Sequence, residues 1–345
     1  MSTHTFIDAL TSEGYYTFLS NLRNEGNTLY ILSGSYGLFP YQLLQELSED
    51  KDESIEYFHS FYYPDYYKGI RFKKEKVAII YTGIKQHEVG VGKSIISLSS
   101  CINPNRLRLS IAREIKEKQK HELKCCHYLQ EAKEIHFKRE SLSKQAMDFQ
   151  KADELVEKVI GEVFEQGIAK EHSQITTRFF GAFTTKGPIN FIDSLTKSME
   201  KRYILHGGAG SGKSTFMKKI IEIAKNNQES ITIFPCSFDP QSIDMVLLED
   251  RKIAFIDGTN PHPLSKGQER DEIIDMTAQC MNLNIRQQQQ SEIERLTTDY
   301  QEKISLSKSH LYKASVYKQK IDEAYDYALI KKEYNQVKEL LNQWI

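Results

Sequence analysis

Apolar positions along the chain gather into short continuous runs separated by polar or glycine-rich turns. Three of these in the C-terminal half, Arg202 to Leu205, Ser230 to Phe234 and Lys252 to Ile256, are branched and apolar, as strands buried on both faces of a parallel sheet should be. The short segment Phe179 to Phe183 and a helix over about 188–199 lead into the first run. A glycine-rich turn and a helix over about 213–226 leave it. Strands alternating with helices predict an α/β layer. After the third strand the pattern changes: roughly 104–168 and 269–343 are rich in Glu, Lys, Gln and Leu and nearly free of Gly and Pro. Such lengths predict a helical hairpin or antiparallel coiled coil in each half, either packed on its own sheet or projecting as an arm for a protein partner.

The two halves read alike because the chain repeats. Residues 6–37 lie over 179–210 without a gap, and 11 of those 32 positions are identical, from Phe6/Phe179 and Ala9/Ala182 to Gly34/Gly207 and Gly37/Gly210. Roughly two identities would arise by chance, so the pattern implies a duplicated domain. The match continues with gaps through Glu53-Ser54-Ile55 over Glu229-Ser230-Ile231 and Lys76-Val77-Ala78-Ile79-Ile80 over Lys252-Ile253-Ala254-Phe255-Ile256. Late in each half, Gln150-Lys151 and Asp153-Glu154 align with Gln319-Lys320 and Asp322-Glu323. The boundary falls near 172, giving units 1–172 and 173–345 whose inherited interface predicts pseudo-dimeric packing.

Composition narrows the function classes. With 39% apolar and 27% charged residues, the 345-residue chain has the make-up of a soluble globular protein. Its net charge of −1 provides no field for nucleic acid, which is disfavoured as a partner. No apolar run approaches the roughly 18–20 residues that span a bilayer, and MSTHTFIDAL lacks the features of a signal peptide, so the expected location is cytoplasmic. Of the five cysteines, none forms a CxxC pair, and adjacent residues of Cys125-Cys126-His127 would point in different directions on a helix.

One motif carries chemistry. Gly207-Gly208-Ala209-Gly210-Ser211-Gly212-Lys213-Ser214-Thr215 satisfies the Walker A spacing, entered from a strand and left by a helix. Glycines let such a loop wrap a phosphate with backbone N–H groups, and the helix N-terminus points positive potential at the same anion. In that arrangement Lys213 reaches the β- and γ-phosphates of ATP, Ser214 ligates Mg²⁺ and Thr215 adds a donor to the α-phosphate. Asp257, ending the strand Lys252 to Ile256, is placed to hold Mg²⁺ through water as a Walker B aspartate does. Gly258 stands where many ATPases carry a catalytic Glu, so Asp239 in Cys236-Ser237-Phe238-Asp239-Pro240 is the best local base, with Asp244 and His262 behind it. Arg178, Arg270 and Arg286 are the arginines of this half that could approach a departing phosphate; Arg202 and Arg251 sit on or at the start of strands.

The first half has lost these groups. It reads Gly34-Ser35-Tyr36-Gly37-Leu38-Phe39-Pro40-Tyr41, with Phe39, Pro40 and Tyr41 in place of Gly212, Lys213 and Ser214, and Thr82 in place of Asp257. Phe39, Pro40 and Tyr41 are expected to close the vacated phosphate site with apolar bulk. A second glycine string, Gly90-Val91-Gly92-Lys93-Ser94, has His87 where the first Walker glycine belongs and no apolar strand running into it, so it is rejected.

RYILHGGAGSGKST (202–215), CSFDPQSID (236–244) and FIDGTNPH (255–262) resemble a family of bacterial, mainly Firmicute, P-loop ATPase-like proteins built from two tandem halves. The resemblance implies ATP binding and hydrolysis, and the family pattern of a GK[ST] loop in both halves is broken in this chain's first half. The expectation is a tandem of α/β P-loop NTPase-like domains with mainly parallel sheets and a helical hairpin after each, in which 173–345 alone holds Mg-ATP. Slow or partner-stimulated hydrolysis is the leading activity. Phosphoryl transfer to a small molecule and a nucleotide-gated interaction module are the alternatives.

Overall fold

Branched apolar runs become strands here because each is covered on both faces. The computed structural model describes residues 2–49, 51, 54–83, 94–165, 167, 173–260, 263–264 and 267–345. In the first half the strands are β1 (Thr3–Thr5), β2 (Asp8–Thr11), β3 (Gly14–Thr17), β4 (Thr28–Ser33), β5 (Ile55–His59), β6 (Tyr67–Phe72), β7 (Val77–Gly83) and β8 (Ser94–Ser97). The helices there are α1 (Leu19–Asn24), α2 (Phe39–Ser48), α3 (Ile111–Gln145) and α4 (Phe149–Phe164). The second half carries β9 (Ile175–Thr177), β10 (Gly181–Thr184), β11 (Gly187–Asn190), β12 (Lys201–His206), β13 (Ile231–Pro235), β14 (Ile243–Leu248), β15 (Ile253–Asp257) and β16 (Asp271–Asp275). Its helices are α5 (Ile192–Leu195), α6 (Lys213–Asn226), α7 (Met276–Cys280), α8 (Leu283–Gln288), α9 (Gln290–Tyr327) and α10 (Lys331–Asn342).

Each half builds a six-stranded sheet, and the two share one strand order: β1-β5-β6-β7-β4-β8 and β9-β13-β14-β15-β12-β16. Three of the five pairings in each are parallel; β6 and β14 run antiparallel to both neighbours. The three-strand reading therefore missed half of each sheet. The segment expected to open with a long helix over 188–199 is instead the hairpin β10–β11 followed by the single turn α5.

The helical hairpins expected within each half are not formed. α3 and α9 pair antiparallel with each other across the halves, through Cys125 Sγ and Ser307 Oγ at 3.1 Å, His121 and His310 at 2.8 Å, and Lys303 and Glu131 at 2.9 Å. Small buried residues on the seam, Cys125, Ala132, Ser307 and Ala314, allow that approach. α4 then crosses over: Val156, Val159 and Val163, at helical spacing, pack with Leu205 and Phe255 of the second sheet and Phe216 of α6. α10 makes the reciprocal crossing, burying Leu341 against the first-sheet core and stacking Trp344 on Tyr30 with ring centres 4.3 Å apart. Units 1–172 and 173–345 are thus halves of the sequence whose sheets are each covered by a helix of the other. Residue 172 itself lies outside the described residues.

The helix exchange also overturns one sequence match. Asp153 and Glu154 lie on α4, whereas Asp322 and Glu323 lie inside α9, so the late identities do not mark equivalent positions. Paired backbone contacts fix the correspondence instead. Asn103 N–H donates to Ala328 and Asn282 N–H to Ala146; Ile330 N–H donates to Cys101 and Asp148 N–H to Cys280. Ala328 therefore matches Ala146. Counting back along the two helices, Asp326 matches Lys144 and Asp322 matches Glu140.

The halves meet at Phe6 and Phe179, whose backbones exchange hydrogen bonds of 2.9 and 3.0 Å. Ser12 N–H to Phe238 and Thr185 N–H to Phe61 flank this bridge, and an apolar cluster including Phe18, Ala182, Leu129 and Leu311 fills in around it. Arg178, fully buried, donates to Glu56 and Glu25 of the first half at 2.8 Å each, with Arg71 on the same two carboxylates. Among the described residues, no helix is long and apolar enough to cross a membrane.

Removing Arg178 would leave two buried carboxylates with Arg71 as their remaining guanidinium partner. Arg178→Ala is expected to lower the unfolding free energy by about 3–5 kcal/mol, read as a shift of the urea midpoint at unchanged slope.

Candidate functional site

β12 delivers the glycine loop and α6 leaves it with Lys213 as its first residue. Gly207, Gly210 and Gly212 have φ of 150°, 78° and 91°, the left-handed side that a Cβ disfavours. At Gly207 a Cβ would lie 2.3 Å from Ser211 Oγ, and at Gly210 it would lie 2.6 Å from the Glu140 carbonyl oxygen of α3. The loop is therefore closed on itself and capped by a helix that comes from the first half. Among the described residues, Ser211 Oγ is buried without a hydrogen-bond partner.

β15 pairs directly with β12, setting Leu205 opposite Asp257. Lys213 Nζ lies 3.6 Å from Asp257 and donates to the carbonyls of Gly207 and Gly208, folded over the loop mouth. Asp257 Oδ1 accepts from Thr259 N–H and Oγ at 2.9 and 2.5 Å. Ser214 Oγ accepts the Ile243 N–H at 3.1 Å and keeps its proton and a second lone pair free for another partner. Gly258 is required sterically: a Cβ there would meet Ile204 at 2.4 Å and the His206 ring at 2.9 Å, so a Glu beside Asp257 does not fit this site.

Asp239 is buried but paired, 2.8 Å from Lys133 of α3, and its Oδ1 also takes the Gln241 N–H at 3.3 Å. Its expected role as base is thereby weakened, because Lys133 already holds its charge. Asp244 is the acid brought to Asp257: one step beyond the Met245–Ile256 pair, it falls opposite it. Burial, with the Asp257 charge behind it, pushes the Asp244 carboxyl up to about 7. His262 lies outside the described residues, as does Lys93.

The arginines sort by position. Arg178 is locked between the halves, Arg270 donates to the carbonyls of Thr196 and Lys197, Arg202 pairs with Asp271 at 2.6 Å, and Arg251 pairs with Glu229 at 2.6 Å. Arg286 rests with a terminal nitrogen 3.1 Å from the place of a Gly208 Cβ. Sequence reasoning passed over Arg139 of α3, which lies over the Tyr300 ring at 5.5 Å and lines the same cavity. No local signal could have found it, because it belongs to the other half of the chain.

That cavity measures about 930 Å³, near the top of the range for small-molecule sites. It is walled by the glycine loop and Asp257 on one side, and by His136, Arg139, Lys144 and Tyr300 of the paired long helices on the other. Among the described residues no cluster of three His, Cys, Asp or Glu side chains forms a metal cage. Ser214, Asp257 and Asp244 supply oxygen ligands of the kind that hold Mg²⁺ when substrate and water complete its shell.

The matching loop of the first half is already filled. Gly37 N–H donates to Asp322 at 2.9 Å, and the Leu38 and Phe39 N–H groups donate to Asp326 at 3.0 and 3.2 Å. Phe39, Pro40 and Tyr41 are buried on α2, and the Phe39 ring also lies against the loop, where a Cβ at Gly37 would be 2.7 Å from it and from Asp326, so carboxylates of α9 join apolar bulk at the mouth. Lys318 pairs with Asp322 inside a ring of Tyr36, Tyr41 and Tyr63. In the second half the two matching positions are Glu140, whose carbonyl covers Gly210, and Lys144, a cation.

No family model, curated protein or solved structure matches this chain significantly.

The two carboxylates in the first loop differ in what they hold. Asp322→Ala strands the buried Lys318 ammonium and is expected to cost about 3–5 kcal/mol. Asp326→Asn keeps an acceptor for the Leu38 and Phe39 amides and should cost no more than about 1 kcal/mol. Denaturant midpoints of the two variants check the order.

Proposed function

We propose that the chain is a Mg²⁺-dependent ATP-binding protein of the P-loop type, formed by duplication, in which the second half hydrolyses ATP slowly or under stimulation by a partner. One observation carries the reading. The first loop satisfies amides with two internal carboxylates, whereas the loop at 207–212 shares its two positive-φ glycines, adds a third at Gly212, and has Lys213 at its mouth, a Ser211 hydroxyl orphaned among the described residues and a cation at the position of Asp326. Ser211 N–H donates to the Gly208 carbonyl, but among the described residues no carboxylate accepts from this loop's amides as Asp322 and Asp326 do in the first, and such a site suits an anion from solution. The α6 N-terminus adds positive potential, Gly207 to Thr215 wrap the phosphates, and Ser214 and Asp257 hold the metal with Asp244 beside them.

Bound Mg²⁺ would neutralise phosphate charge; this chain's residues orient, desolvate and hold the proton. Asp244 replaces Asp239 as the acid facing an attacking water, because Asp239 is engaged by Lys133. Phosphoryl transfer to a small molecule is the second reading, favoured by the size of the cavity beyond Lys213.

Lys213→Ala removes the ammonium at the loop mouth, and the affinity for Mg-ATP is expected to fall tenfold or more in a nucleotide titration, while Lys93→Ala leaves it unchanged. Equal losses from both would place the site elsewhere. Asp257→Asn should weaken the magnesium dependence of binding and leave metal-free nucleotide binding much less affected; an unaltered magnesium titration would remove Asp257 from the metal site.

A further inference from the structure

The helix that caps the glycine loop does not belong to the half that carries it. α3 runs out of the first half, pairs with α9, and sets the Glu140 carbonyl against Gly210. One turn of this contact also presents Arg139 to the cavity.

Lys213 folds over the loop mouth and Lys218 is exposed to solvent; from the remaining cations around the site Arg139 stands apart. Lys133 is paired with Asp239 and Glu13, His136 faces Glu140 at 3.5 Å, and Lys219 is paired with Asp153. Lys144 lies 3.9 Å from Glu140 and is largely exposed. Arg286 is held against Gly208 and 3.9 Å from the Met281 sulfur. Arg139 has no carboxylate among the described residues: its plane lies over Tyr300, and its Nε is buried with no acceptor. Burial pulls the Arg139 guanidinium below its ordinary range; Tyr300 opposes that shift and the Arg286 charge adds to it. A half-buried guanidinium facing a cavity beside a second cation, with an unsatisfied N–H, is in an arrangement that an anion would complete.

We propose that Arg139 is the residue that contacts the terminal phosphate during transfer, so that the first half completes the nucleotide site of the second. The inference rests on the nucleotide reading above and deepens it. Arg139 follows directly before Glu140, whose carbonyl covers Gly210, and lines the same cavity as Lys213, so the two cations are assigned to the transferring group together. The guanidinium neutralises charge as the bond from the terminal phosphorus to the bridging oxygen breaks and the bond to the incoming water oxygen forms. The water proton passes to a carboxylate on the strand side, and no other reactant is required. The first half then contributes to the chemistry although its own loop is plugged.

The full-length chain is titrated with Mg-ADP alone and with Mg-ADP plus fluoroaluminate, which mimics the phosphoryl group in flight. Wild type should bind the fluoroaluminate complex more tightly than ADP. Arg139→Ala and Arg139→Lys should keep ADP affinity within about threefold, lose at least about tenfold of the fluoroaluminate-dependent gain, and lower turnover by about 10³-fold, the lower end for an arginine acting this way. Lys138→Ala, the exposed neighbour, should change none of these. If Arg139→Ala fails to fold, the Lys variant, which keeps the charge and loses the planar fork, decides. A full gain retained by the Arg139 variants would overturn the proposal, as would equal loss of ADP and fluoroaluminate binding in a variant that unfolds at the wild-type midpoint. Wild type that binds ADP with no gain from fluoroaluminate would overturn it and leave nucleotide binding standing. Wild type that binds neither would overturn the nucleotide reading and this one with it.

Discussion

Backbone N–H groups that converge on one point demand negative charge there, and the architecture turns on how that demand is met. In both halves a strand runs into a glycine turn with positive φ and out into a helix, so each turn aims several donors into one small space. Burying such donors unsatisfied costs about 1–3 kcal/mol each. The first half answers with Asp322 and Asp326, which reach its loop from α9. The second half receives a backbone carbonyl and a lysine from the matching stretch of α3. The same frame therefore holds one loop satisfied from within and one that is not.

The carboxylates are available only because the helices cross. A sheet with strands buried on both faces needs cover on each. On one face α6 is joined by α4 and α2 by α10, each second helix coming from the other half as in a swapped dimer, while Phe180, Ile192 and Met199, or Ile31, Phe58 and Ile80 in the first half, belong to the core of the opposite face. Each long helix thereby ends over the other half's loop. The exchange also explains why Arg178 is buried: with the halves interlocked, the space between them is interior, and its guanidinium is balanced there by Glu25 and Glu56.

Much of this was legible in the chain and some could not have been. α6 begins and ends where glycine loop and helix pattern place it, at Lys213 and Asn226, because a Walker spacing and an amphipathic run are local signals. The self-match at Phe6 and Phe179 marked, without intent, the two residues that bridge the halves. β6 and β14 escaped because Tyr67–Phe72 contains Lys68, Gly69 and Arg71, and Ile243–Leu248 carries Asp244 as its second residue; neither looks like a buried strand until its neighbours are known. The crossing of α4 was out of reach in principle. Val156, Val159 and Val163 say which face is buried and nothing about what buries it. For the same reason Asp239 looked free, and its partner Lys133 lies about a hundred residues upstream on another half's helix.

The divergence of the two loops has a mechanical consequence for the site that remains open. α9 is pinned near its C-terminus, where Asp322 and Asp326 accept three amides of the first loop and Asp322 is buried with Lys318. From that anchor it runs back along α3, in contact at Ser307 and Cys125, to Tyr300 beside the second loop. Helices pair by interdigitating side chains, so a fixed end on α9 sets the register of α3 against it. That register decides which turn of α3 lies on Gly210, where backbone meets backbone and a shift of one residue would bring a different side chain to the cavity. The first loop has Phe39, Pro40 and Tyr41 where the second has Gly212, Lys213 and Ser214. Filled by Asp322 and Asp326, it is the fixed point from which the opposite loop is capped.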